Sequence, residues 1–290
     1  DVYKRQVTMK KKVPTLKEAA RTTYKRRKNG DVSAKDFLTS MRHNVQALGD
    51  IPVNKITTSL INKMNDYNKS RPNCNEVVNK KMGHLKLVLE DCRDDGYITM
   101  PEFPKPRRVK KNKKVHYLTA DMERELMSYL TCFNYHEHRD VFKCLIDIGC
   151  RVMELLTLEK RFVDFDKNQI TFQYRKNGRP NTVPMTNAVR SIIKPYYDKC
   201  NSLDLLFDHD YYWASSIFAK AKKELGYSKH KWYKIHLFRD TCGSRLAQAG
   251  IQLLIIRDWL GHEDVQMTEK YSHLAPDSMH QVVGVLNESE

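Results

Sequence analysis

No apolar run in the chain approaches the ~18–20 residues that a membrane-spanning helix needs, and no charged-then-apolar segment marks it for secretion. The seven cysteines (Cys74, Cys92, Cys132, Cys144, Cys150, Cys200, Cys242) are an odd count without a C-x-x-C pair. A zinc site or a disulfide framework is therefore not expected; buried free thiols in a reducing cytoplasm are. There is also no P-loop to cradle a nucleotide and no carboxylate cluster to hold a divalent cation. The chain begins at Asp1 rather than Met, and residues 1–9 are assigned no structure.

What is present fits a soluble globular chain. Its 290 residues suffice for two domains with their own cores. Hydrophobic residues make up 40% and charged ones 30%, with a net charge of +16. That charge is uneven. Residues 1–116 hold 28 Lys and Arg against 12 Asp and Glu, whereas residues 117–290 hold 23 of each. All of the surplus therefore lies in the N-terminal part, and so strong an asymmetry favours a polyanionic partner. Nucleic acid leads, because the charge accompanies ordered helices. A membrane surface is the weaker reading, since no helix pairs a Lys/Arg face with a Trp/Phe/Leu face.

Residues 10–98 read as four short amphipathic helices. Thr15 and Glu18 form a capping box for the first, which stops at Gly30. Ser33 opens the second, with Phe37, Met41, Val45 and Leu48 at helical spacing and Gly49 closing it. A short third starts at Thr57 or Thr58. The fourth begins near residues 73–75, carries Val78, Met82, Leu85, Leu89 and Cys92 on one face, and ends before Gly96. Residues 99–116 are a linker, in which three prolines favour extended chain and seven cations charge it. It serves as a spacer, a strap along a polyanion, or both.

From residue 117 to 276 a second domain is expected. Thr119 caps a helix, and 136–148 is another that runs into Gly149. Residues 162–165, 170–174 and 182–185 read as strands, with Asn177-Gly178 as a hairpin turn. After Asn187 the pattern is helical. The fold class expected is mostly α with a small antiparallel β-sheet. Residues 277–290 form a tail with Met279, Val282, Val283 and Leu286 in one apolar stripe.

Six residues suggest phosphate chemistry: Arg151, Lys176, His236, Arg239, His262 and Tyr271. Taken singly, each is more often a surface ion pair, a satisfied core imidazole or a half-buried tyrosine. Together they are more informative. Guanidinium groups suit a phosphodiester under attack, because the planar fork donates two hydrogen bonds and stays charged. Arg239 is i+3 from His236, so the two share a helix face. Lys176 sits at the hairpin tip, where an ammonium could protonate a leaving oxygen. Tyr271 is a weak nucleophile when free and needs a cation or base beside it.

The order and context of these residues resemble the tyrosine recombinases, the site-specific phage-integrase family. G-C-R-V-M-E-L-L-T-L (149–158) is similar to the segment around the family's first catalytic arginine, with Glu154 three residues on. R-K-N-G-R-P-N-T-V-P (175–184) resembles its lysine-bearing β-hairpin. H-L-F-R (236–239) matches the H-x-x-R box, L-G-H (260–262) the second histidine, and E-K-Y-S-H (269–273) the nucleophile segment. L-K-E-A-A near residue 16 and the stretch 77–89 are similar, less specifically, to the N-terminal core-binding helices. An arm-type DNA-binding domain, which precedes these helices in many integrases, has no room in the roughly ten residues ahead of them; it is either missing from this fragment or never present.

The resemblance implies a four-helix core-binding (SAM-like) domain and a mixed α/β catalytic domain, clamped around duplex DNA. It implies that Tyr271 attacks the scissile phosphate to form a 3′-phosphotyrosyl link. Arg151 and Arg239 would hold the non-bridging oxygens. His236 and His262 would bond the phosphate and manage the tyrosine proton, and Lys176 would be the general acid. No cofactor, metal or ATP is implied. The partners implied are paired recombination sites on double-stranded DNA, a homo-tetramer assembled there from free monomers, and an accessory directionality or DNA-bending factor. The tail 277–290 would dock in a neighbouring protomer. Lys25, Arg26, Arg27, Lys80, Lys81, Arg107, Arg108, Lys110 and Lys111 are the candidate DNA contacts. A cytoplasmic, nucleoid-associated protein is expected. Three alternatives stand beside this reading: type IB topoisomerase-like relaxation, a non-cleaving DNA-binding regulator on the same fold, and a metal nuclease built on His262, Glu263 and Asp264.

Overall fold

The structure, a computed structural model, describes residues 12–31, 33–70, 75–108, 115–173 and 179–276. It divides into two compact units, Asp1–Lys111 and Asn112–Glu290.

In the first unit, helix α1 (Leu16–Thr23) opens with the expected capping box: Thr15 Oγ1 accepts from Glu18 N, and Glu18 Oε2 accepts from Thr15 N at 2.9 Å. The helix widens into a π-turn over Tyr24–Lys28 before Gly30, whose φ of 80° breaks it. Helix α2 (Ala34–Leu48) departs from expectation at its start. The Ser33 hydroxyl makes no cap, because it accepts from Lys28 Nζ at 3.0 Å, while Asp31 Oδ1 takes the Ser33 amide at 2.7 Å. Helices α3 (Thr58–Ser70) and α4 (Asn75–Asp94) complete the set. Leu16, Phe37, Met41, Ile61, Leu85 and Leu89 are buried together, the periodic apolar faces meeting in one core.

The first part of the proline-bearing stretch is docked on this unit rather than free. Met100 and Phe103 pack on its core. The Arg107 backbone exchanges two hydrogen bonds with the Asn79 amide, at 2.8 and 2.9 Å. The Arg108 carbonyl accepts from Asn75 Nδ2, and Glu102 N donates to Thr58 Oγ1. Extended chain leaves its amides unpaired, and the polar side chains along α3 and α4 supply partners.

The second unit is built around α6 (His136–Ile148), whose Val141, Phe142, Cys144, Leu145, Ile146 and Ile148 are buried. Helix α5 (Ala120–Cys132) packs beside it behind a Thr119 cap, and the short α7 (Val152–Leu156) follows. Strands β1 (Val163–Asp164), β2 (Gln169–Phe172) and β3 (Asn181–Pro184) form one antiparallel sheet in that order. Register pairs Val163 with Ile170 and Ile170 with Val183, so the alternating apolar positions share the core face. The expected hairpin turn, with Asn177 and Gly178, lies outside the described residues. Helices α8 (Asn187–Lys199), α9 (Tyr211–Glu224), α10 (Leu237–Gln248) and α11 (Leu253–Leu260) follow, then a 3-10 stretch, Glu269–Leu274. The fold is thus mostly helical with a small antiparallel sheet. The described cysteines are all free thiols. No helix among the described residues is long and apolar enough to cross a membrane.

Candidate active site

The site is assembled where three helix ends meet. Helix α6 ends at Gly149, which holds φ at 73°. A Cβ there would lie 2.6 Å from Leu260 Cδ2 and 2.8 Å from Cys242 Sγ, so this position tolerates only glycine. The tight turn exposes the Gly149 carbonyl, and Arg239 of α10 donates Nη1 to it at 2.7 Å. Arg239 Nη2 donates to the Leu260 carbonyl at the end of α11, also at 2.7 Å. Both acceptors are last-turn carbonyls, which carry the negative pole of a helix and have no partner within it. Arg239 is only 2% exposed, and burial followed by the charge of Arg151 holds its pKa below the ordinary value. Trp259 Nε1 adds a third tie, to the Ile148 carbonyl at 2.8 Å.

Arg151 caps α7, and Glu154 fixes it twice. One carboxylate oxygen accepts from the Arg151 amide at 2.9 Å, the other from its Nη1 at 2.7 Å. The guanidinium is thereby aimed without being enclosed, since its side chain remains 31% exposed. Arg151, His236 and Arg239 line a common cavity of about 260 Å³, floored by Leu145, Cys150 and Phe238. His236 stands at the N-terminus of α10 with its edge exposed. Burial by the protein beneath it lowers its pKa, opposed by Asp240 and reinforced by Arg239, Lys270 and Arg151. A second cavity of about 270 Å³ shares the His236 wall and is lined by His116, Trp232, Lys234, Asp240 and Lys270.

His262 follows Gly261, whose left-handed φ of 63° ends α11. It is buried, and Nδ1 meets Thr268 Oγ1 at 2.8 Å. Burial first, then the charges of Arg239, Lys270 and Arg151, push its pKa down to about 3. The ring is therefore a neutral imidazole at physiological pH, with one donor and one acceptor nitrogen. Tyr271 is fully buried in the 3-10 turn, with its hydroxyl donating to Asp240 Oδ1 at 3.0 Å. The same oxygen accepts from Lys270 Nζ, whose ammonium lies 4.8 Å from the Tyr271 ring centre. Burial and the Asp240 charge raise the phenol pKa well above its usual value. Burial also pushes the Cys242 thiol up to about 12, which keeps it protonated at neutral pH.

Five of the six expected residues are thus drawn into one neighbourhood; Lys176 lies outside the described residues. Glu154, noted in the sequence only for its spacing, is the clamp on Arg151. Asp240 and Lys270 were not anticipated. The available signal was a carboxylate at i+4 from His236 and next to Arg239, on the one helix face already singled out. Among the described residues no group of His, Cys, Asp and Glu is arranged to hold a metal ion, and that includes His262, Glu263 and Asp264.

The expected DNA contacts in the first unit fare differently. Arg26 pairs with Asp95 at 3.1 Å, and Arg27 pairs with Asp91. Lys80 pairs with Asp36. Arg107 donates to the Asn65 carbonyl and amide oxygens at 2.7 and 3.0 Å. Lys81 is buried, 9% exposed, while Lys25 and Arg108 are exposed. Lys110 and Lys111, like the stripe Met279, Val282, Val283 and Leu286, lie outside the described residues.

A model of the phage integrase family matches residues 116–278, and the chain belongs to that family, the tyrosine recombinases. It is 24% identical over 253 residues to the tyrosine recombinase XerA of Saccharolobus solfataricus, covering 85% of this chain and 81% of that one. It is 29% identical over 170 residues to the integrase of Escherichia phage 186, covering 58% of this chain and 46% of the relative. The Tn1549 transposon integrase, solved in complex with transposon right end DNA, shares the fold with a TM-score of 0.75 at 19% identity, across 94% of this chain and 99% of that one. A lambda integrase tetramer bound to a Holliday junction gives 0.71 at 17% identity, across 92% and 79%.

Proposed function

We propose that this chain cuts and rejoins DNA at specific sites through a 3′-phosphotyrosyl intermediate, in the integration or excision of a mobile element. The observation that carries this is the convergence of Arg151, His236 and Arg239 on one cavity, from stretches far apart in sequence, beside the buried Tyr271. Two guanidinium groups and an imidazole supply the donors that a phosphodiester needs as charge grows on its non-bridging oxygens. Arg239 keeps donors for the phosphate although two of its five N–H groups hold carbonyls. His262, neutral and held by Thr268, is a second hydrogen-bonding imidazole.

In the cleavage step the Tyr271 oxygen bonds to phosphorus and the bond to the 5′ oxygen breaks. The leaving oxygen takes a proton, for which Lys176 is the candidate donor on its hairpin motif. The phenol proton leaves Tyr271, with His236 and His262 as candidate carriers. The link preserves the bond energy, so a 5′-hydroxyl from a second strand reverses the step and reseals the DNA. Double-stranded DNA is the partner this chemistry requires, and exchange of four strands requires four protomers on two sites. The tail 277–290 is the candidate segment for joining them, and an accessory directionality or DNA-bending factor is the further partner proposed. The basic core-binding helices, the linker 99–116 and the catalytic part 117–276 then divide DNA grip from chemistry. The cell compartment proposed is the cytoplasm, at the nucleoid.

The test is a nicked duplex carrying a verified recombination site, incubated in EDTA. An SDS-resistant protein–DNA adduct is expected with the wild-type chain and none with Tyr271→Phe. An adduct that persists in that variant refutes the assignment of the nucleophile. Adduct formation with relaxation of supercoiled DNA but no strand exchange favours the topoisomerase-like alternative.

A further inference from the structure

The surroundings of Tyr271 in the free protein are ill suited to attack. The ring packs against the backbone of α10 so closely that a Cβ on Gly243 would lie 2.5 Å from its Cζ and 2.9 Å from its hydroxyl oxygen. It is 0% exposed, and it lines neither of the two cavities that flank His236. Its hydroxyl is occupied by Asp240, and Lys270 completes the arrangement by reaching the same carboxylate oxygen while covering the ring.

We propose that Asp240 is a positioning residue that stows Tyr271 as a protonated phenol, and that cleavage begins only when this hydrogen bond is exchanged for the phosphate. The inference rests on Tyr271 being the nucleophile. A carboxylate accepts from the phenol only while the phenol keeps its proton; two anions at that separation repel each other. Burial and the Asp240 charge both act in this direction on Tyr271, and Cys242 of the same helix adds to them. Arg239 opposes them from the same helix. Lys270 lies against the ring, and α11 packs the apolar Leu253, Ile256, Trp259 and Leu260 into the same cluster. The stow can be reached from outside. Asp240 and Lys270 both line the second cavity, together with Lys234, so an anion entering there meets Lys270 and competes with Asp240 for it.

Asp240→Asn tests this, because it leaves an acceptor oxygen in place and removes the charge. In single-turnover cleavage of the nicked duplex, the rate of Asp240→Asn at neutral pH should rise roughly tenfold, its alkaline rise moving down by about one pH unit. Lys270→Met, which leaves the carboxylate uncompensated, should move the rise the other way and slow cleavage. Without DNA, Tyr271 should resist O-acetylation by N-acetylimidazole in the wild-type chain and become reactive in Asp240→Asn, as read by peptide mass spectrometry. A merely structural Asp240 lowers the melting temperature without moving the pH profile. An unmoved profile, cleavage slower at every pH, or a Tyr271 already reactive in the wild type overturns the proposal. If the wild type is protected but forms no Tyr271-dependent adduct, the stow stands and the nucleophile assignment fails.

Discussion

Among the described residues of the N-terminal part most cations lie at the surface, Lys81 excepted, and several are tied to carboxylates: Arg26 to Asp95, Arg27 to Asp91, Lys80 to Asp36. The C-terminal part is neutral overall, yet a few of its cations turn inward onto one cavity and one buried tyrosine. Net charge therefore ranks the two parts in the wrong order for local field. In water a surface pair acts weakly and is screened within about 10 Å at ordinary salt, whereas a charge behind protein is felt by everything near it. Arg239 shows the consequence, since its charge reaches His236, His262 and Tyr271. A small number of buried charges prepares a phosphate site, while an exposed surplus suits long-range attraction and phosphate contacts that weaken with salt.

The contrast is broken most severely at Gly149. Gly149→Ala forces a Cβ into Leu260 and Cys242 on a left-handed backbone, which should cost about 2–4 kcal/mol of stability. It should also displace the carbonyl that aims Arg239, so cleavage should be lost beyond what the lowered melting temperature explains. Full cleavage by a folded Gly149→Ala chain would show that Arg239 does not depend on this turn.

Gly149 also marks what could be read from sequence. A glycine after an apolar helix signals a left-handed stop, and the capping box at Thr15 is equally local, so helix ends were legible. The H-x-x-R box was legible because its spacing fixes one helix face. The seat of Tyr271 on Gly243 was not, because it depends on how a 3-10 turn packs on a helix formed earlier in the chain. Nor was the hydrogen bond from Tyr271 to Asp240, which joins residues 31 positions apart. The ion pairs of Arg26 and Arg27 join the end of α1 to the end of α4, and no periodicity within either helix announces them. Ser33 failed as a cap for the opposite reason: a rival at close range, Lys28, took its hydroxyl.

A smaller effect is expected from pH, and it sharpens the view of the inward-facing site. His262 has a folded pKa of about 3, below the unfolded value near 6.5, so the unfolded chain binds the extra proton between them. Stability contributed by the neutral ring is therefore complete above about pH 6.5 and is lost as pH falls toward 3, with a slope of up to about 1.4 kcal/mol per unit. Other groups titrate in this window, so the measurement is the difference between wild type and His262→Gln in denaturant midpoints from pH 7 to about 4. The variant should show the shallower loss. Parallel curves would mean that His262 is not held neutral by its surroundings.

The smallest effect distinguishes cations within the basic part. Arg27 neutralises Asp91, whose side chain is 3% exposed and keeps Thr23 Oγ1 as a donor at 2.7 Å. Arg27→Gln should therefore lower stability by roughly 1–2 kcal/mol, because it leaves the buried carboxylate with only Arg26 Nη1, at 3.9 Å, as its cation. Its effect on DNA affinity should be slight, since Arg27 is already committed. Lys25 and Arg108 are exposed, and each neutralisation there should reduce the slope of log affinity against log salt by about 0.9 while leaving the melting temperature unchanged. Salt titrations of the three variants on one duplex decide the matter. If Arg27→Gln flattens the slope as much as Lys25→Gln, then DNA draws Arg27 away from Asp91 on binding, and the ion pairs of the basic part are a reserve of contacts rather than a loss from it.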